Sequence, residues 1–115
     1  MTNFIARLFN HDAEKALAKE MSAQIIKNLS SKLMNERRQV LSANKISRLL
    51  EQSFEIAKAY QTTHKLGMVK RAVLANSFRW ELKSSGYPED FINVATEGLV
   101  IELGKKATLK SIKTR

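Results

Sequence analysis

Residues 13–33 read AEKALAKEMSAQIIKNLSSKL. Ala13, Leu17, Met21, Ile25, Leu29 and Leu33 recur every four residues. Ala16 and Ile26 widen that stripe, and Lys15, Lys19, Lys27 and Lys32 occupy the polar side. Apolar residues at this spacing share one face of a helix. The pattern predicts an amphipathic helix from about Ala13 to the mid-30s, the longest element of the chain. Asp12 stands where a cap is needed, since a carboxylate accepts from the free backbone N–H groups of a first turn. Glu14 suits the positive end of the helix dipole.

The same periodicity extends in both directions. Upstream, Thr2–Phe9 predicts a short helix with Phe4, Ile5, Leu8 and Phe9 together. Downstream, Ser42 or Asn44 caps a helix that runs to about His64. Its buried face is Ile46, Leu49, Leu50, Phe54, Ala57 and Tyr60. Gly67 is read as its C-terminal stop. A further helix spans about Met68–Ser84, with Leu74, Phe78 and Leu82 on one apolar side and Val69, Val73 and Trp80 on another. A helix apolar on most sides is expected at the centre of its domain. Ser85-Gly86-Tyr87-Pro88 breaks the chain, and Pro88 suits the first position of a last helix. That helix carries Phe91, Ile92, Ala95, Leu99 and Leu103 and is expected to stop at Gly104.

No stretch alternates with period two, and no Asn-Gly or Asp-Gly hairpin signal occurs. Neither Gly nor Pro occurs before Gly67. The expected fold is therefore all-α, a compact bundle of four to five helices. A single helical domain is expected over residues 1–104, followed by a basic, flexible tail over 105–115. A chain of 115 residues fits one domain and buries roughly two thirds of its unfolded surface.

Composition narrows the chemistry. There is no cysteine, so disulfides and thiolate metal sites are excluded; a reducing, cytoplasmic setting is expected. No uninterrupted apolar run exceeds four residues, far short of the roughly 20 residues of a membrane span. His11-Asp12-Ala13-Glu14 clusters three metal-ligating residue types, but Asp12 is explained as a cap. Glu51 and Glu55 lie one helical turn apart, with Arg48 and Lys58 as neighbours, and read as a salt-bridged surface. No phosphate-cradling glycine loop, GxSxG elbow or cysteine nucleophile is present. The chain is read as a non-enzyme without cofactor or metal.

Charge is the one pointer to a partner. Twenty basic against eleven acidic residues give a net charge of +9. Residues 1–86 carry +8, residues 87–104 carry −4 through Glu89, Asp90, Glu97 and Glu102, and the tail carries +5. The candidate polyanion-binding residues are Arg37, Arg38, Lys45 and Arg48 at one interhelix junction and Lys65, Lys70 and Arg71 at another. Lys105, Lys106, Lys110, Lys113 and Arg115 of the tail complete the set. Exposed Lys and Arg at turns reach phosphates without reading bases. The tail is expected either to fold back on the acidic last helix or to extend toward a phosphate backbone. Phe54, Phe78 and Phe91 are assigned to the core, and Tyr87 is expected to be the exposed aromatic. A helix-turn-helix over Ser42–Tyr60 is excluded, because no turn residue divides that span.

The sequence thus reads as a small, non-catalytic helical interaction or regulatory protein acting through a protein partner or self-association. The alternative is a nucleic-acid-binding protein of low sequence specificity that uses the basic clusters at the turns and the tail.

Overall fold

A computed structural model describes the backbone of residues 10–113 and the side chains of 10–39 and 41–105. The expected helix over Thr2–Phe9, together with Arg115, lies outside these residues. Five α-helices follow in order: α1 (Asp12–Asn28), α2 (Ser31–Glu36), α3 (Ala43–Thr63), α4 (Met68–Ser84) and α5 (Glu89–Lys113). One 3-10 turn, Arg38–Val40, lies between α2 and α3. No strand occurs among the described residues, so the chain is an all-α bundle.

The long helix expected from residue 13 into the mid-30s is two helices. Leu29 adopts extended backbone, and the Ser30 side chain accepts from the Lys32 N–H at 3.1 Å. A serine in extended conformation that takes up a first-turn N–H starts a new helix. The four-residue stripe hides this break, because Leu29 stays fully buried while Leu33 turns outward. Asp12 is not the cap of α1; the Asn10 carboxamide oxygen accepts from the Asp12 N–H at 2.9 Å. Ser42 caps α3 as expected, accepting from Lys45 N–H at 3.1 Å. Gly67 ends nothing: its backbone has φ −69° and ψ 175°, and it stands at the head of α4.

The break after α4 is a Schellman turn. Gly86 takes φ +88°, the Tyr87 N–H donates to Leu82 O at 3.2 Å, and the Gly86 N–H donates to Lys83 O at 3.1 Å. That pairing satisfies the last carbonyls of a helix and brings the residue after the glycine onto the helix's apolar side. Tyr87 is accordingly buried, 5% exposed, and its hydroxyl donates to the Leu29 carbonyl. The expectation of an exposed Tyr87 is thereby overturned. α5 does not stop at Gly104; it runs to Lys113 and, at 25 residues, is the longest element.

The helices form two antiparallel hairpins. Within α1–α3, Ser53 Oγ donates to Met21 O at 3.0 Å and the Gln24 and Gln52 carboxamides meet at 2.7 Å. Within α4–α5, Arg79 bonds Glu89 across the short turn at 2.7 Å. The hairpins pack with parallel partners. Glu14 meets Lys70 and Leu29 meets Tyr87 along α1 and α4; Phe54 meets Gly98 and Lys58 meets Glu102 along α3 and α5. α3 and α4, successive in sequence, do not pack side by side. α4 is therefore one wall of a four-walled bundle, with its outer side in solvent, rather than a central helix.

The core runs through all four long helices: Leu17, Met21 and Ile25; Leu50 and Phe54; Leu74, Phe78 and Leu82; Phe91, Ile92, Leu99 and Leu103. Phe54, Phe78 and Phe91 are core residues, as their spacing predicts. Full burial of a side chain such as Phe78 contributes about 2–3 kcal/mol. No described helix is long and apolar enough to cross a membrane.

Candidate interaction surfaces

The parallel packing sorts the basic residues to the two ends of the bundle. At the end that holds the α4–α5 turn, Arg37, Lys45 and Arg48 are exposed. Arg38 is committed to a carboxylate: its guanidinium bonds Asp90 at the head of α5 and holds that carboxyl below its usual range. Asn35 donates to the Gly86 carbonyl at 2.8 Å, which fixes α2 against the same turn. The acids at the start of α5 thus neutralise part of this cluster.

The opposite end holds the α3–α4 turn. Lys65 is exposed, Arg71 is half-buried, and Lys70 lies 3.8 Å from the buried Glu14 carboxylate. α5 brings the tail residues to this end. Lys58 faces Glu102 at 3.7 Å; α3 then ends five residues on, whereas α5 continues for eleven. The last six residues of α5 thus overshoot the end of α3 by about 9 Å at the helical rise. Lys105 is exposed and 3.8 Å from Glu102. Lys110 and Lys113 lie on the backbone of the projecting turns and Lys106 on the turn just before them. Through Lys113 the backbone of the tail continues α5, which carries it onward from the acidic segment of that helix rather than back over it.

The two acid clusters singled out in the sequence are structural in form. Glu51 and Glu55 are exposed, and with Phe54, Lys58 and Glu102 they line a shallow cleft. Lys58 sits 3.0 Å from Glu55 and its ammonium is held above its ordinary value, chiefly by the Glu55 hydrogen bond. His11 Nδ1 lies 3.4 Å from the buried Glu14. Among the described residues no three His, Asp or Glu side chains converge closely enough to hold a metal ion.

Among the described residues the aromatic that faces solvent is Trp80, 57% exposed, with the Lys83 ammonium 5.6 Å from its ring centroid. It continues an outward side of α4 that carries Val69, 68% exposed, and the half-buried Val73. Phe78 and Leu82 at i−2 and i+2 point into the core and force Trp80 to the other side. Sequence spacing marked this second apolar side but assigned its cover to the bundle. No element of the described chain covers it. On α5, Val94, Val100 and Ile101 are also more than half exposed.

Compared with known protein families, characterised proteins and solved structures, the chain matches none of them.

Proposed function

We propose that the protein is a non-catalytic helical interaction module that works by docking a protein, a second copy or a different chain, on the outer side of α4. The observation that carries this reading is Trp80, a large aromatic held in water on a rigid helix with Val73 and Val69 in line. A tryptophan fixed on a preformed helix brings large contact area with few rotamers to freeze, which is why tryptophan recurs at the centres of protein interfaces. The engagement of Arg38 and Lys70 in ion pairs occupies two of the twelve candidate phosphate contacts and counts against the nucleic-acid alternative.

The test places a photo-crosslinking amino acid at position 80 in cells, with the same residue at exposed Gln52 as control. A protein adduct specific to position 80 is expected, either at twice the chain mass or at the mass of one defined partner. Equal or absent protein adducts at both positions would sink the reading.

A further inference from the structure

The two most exposed large apolar side chains among the described residues, Met68 at 79% and Val69 at 68%, stand in the first turn of α4, at the α3–α4 end of the bundle. Cations flank them in sequence, Lys65 before and Arg71 after, while Lys70 is paired with Glu14. The last turns of α5 carry Lys105, Lys106, Lys110 and Lys113, with no acid after Glu102. The chain enters the bundle at this same end, since Glu14 of the first turn of α1 lies 3.8 Å from Lys70.

From this juxtaposition we propose that the α3–α4 end of the bundle docks on an anionic lipid surface. Met68 and Val69 enter the interfacial layer while the surrounding lysines and arginines meet the headgroup charge. The two kinds of residue act together at such a surface: apolar side chains gain by leaving water, and each nearby cation gains from the negative leaflet. A nucleic acid would use the cations alone and leave Met68 and Val69 in water. The site shares Val69 with the outer side of α4 but not Trp80, which lies eleven residues further along, so substitution of Trp80 tells this proposal from the protein-docking reading.

Flotation of the full chain with vesicles tests it. One set is phosphatidylcholine alone; the other is one part phosphatidylserine to two parts phosphatidylcholine. Binding to the serine-containing vesicles only is expected at near-physiological salt. The double variant Met68→Ser, Val69→Ser, which keeps every charge, should weaken it by about tenfold or more. Lys65→Glu with Lys105→Glu should weaken it similarly, whereas Trp80→Ala should leave it unchanged. Both target pairs are exposed, and an unchanged circular dichroism melt shows that each variant is folded. Absence of binding to serine-containing vesicles would overturn the proposal. So would vesicle binding that the Met68, Val69 variant leaves intact, or tighter binding to a DNA duplex that the same variant leaves intact, because either means charge alone is at work.

Discussion

The Tyr87 hydroxyl donates its hydrogen to the carbonyl oxygen of Leu29, tying the turn after α4 to the end of α1 across 58 residues of sequence. Leu29 is the last residue out of α1 and its carbonyl has no helical partner to follow. The bond therefore closes one helix with the side chain of another hairpin.

Tyr87→Phe is expected to destabilise the fold by about 1–2 kcal/mol, since it strips a buried carbonyl of its donor without opening a cavity. It should also alter the alkaline limb. Burial pushes the Tyr87 hydroxyl up to about 12 from an ordinary value of 10. A group whose folded value is raised contributes stability that is complete below pH 10 and is lost as pH climbs toward 12. Urea unfolding of both proteins at intervals from pH 9 to 12 checks this. The difference between them should shrink with rising pH; a constant difference would show that Tyr87 does not titrate across unfolding.

Glu14 is 1% exposed, with the Lys70 ammonium at 3.8 Å and the His11 ring nitrogen at 3.4 Å. Lys70→Met should destabilise by about 2 kcal/mol, because it leaves a buried carboxylate short of charge. Glu14→Gln in the same chain should restore most of the loss. Thermal melts of the two singles and the double give the coupling directly, and a double no better than Lys70→Met would refute the pairing.

A Cβ at Gly98 would stand 3.0 Å from Cζ and 3.1 Å from Cε2 of Phe54. The glycine is what lets α3 and α5 approach. Gly98→Ala gains about 1 kcal/mol of helix propensity and loses about as much or more to overpacking, so little net change is expected. Gly98→Leu has no room and should destabilise by about 3 kcal/mol or more. Repeating Gly98→Ala in a Phe54→Leu background removes the ring and should expose the propensity gain as a net stabilisation, measured by denaturant midpoint.

The remaining turn glycines should respond in opposite ways. Gly86 holds φ +88°, and an alanine there costs about 1–2 kcal/mol, with asparagine milder. Gly67 holds an ordinary extended backbone with open space around it. Gly67→Ala should be neutral or stabilising by some tenths of a kcal/mol through the unfolded chain. Parallel melts distinguish the two.

The class of fold is legible in the sequence because period-four apolar residues specify helices wherever they occur; Leu50, Phe54 and Ala57, or Leu74, Phe78 and Leu82, needed nothing else. Two things overrode that signal. Ser30 ended a stripe whose period ran on unbroken, since a cap is a local hydrogen bond and periodicity does not sense it. Tyr87 beside a glycine and a proline looked like a loop residue, but the Schellman turn folds it back on Leu82. The surfaces were half legible. The basic residues could be named, but which of them lie together depends on the parallel pairing of α3 with α5, which no local pattern encodes. For the same reason the sequence could not show that Arg38 and Lys70 meet Asp90 and Glu14.

The two hairpins have a consequence for how molecules of this chain meet. Each hairpin is local in sequence, and the two are joined only by the stretch His64–Gly67, where His64, Lys65 and Gly67 are exposed. All of the parallel α1–α4 and α3–α5 packing lies between hairpins. A hairpin from one molecule can therefore take the place of its counterpart in another and rebuild those contacts without loss. Such domain exchange is favoured when the connecting hinge is shortened or strained. Four residues leave little slack between α3 and α4, which do not pack side by side, so shortening this turn is expected to shift the chain from a closed monomer toward an exchanged dimer, read by size-exclusion chromatography.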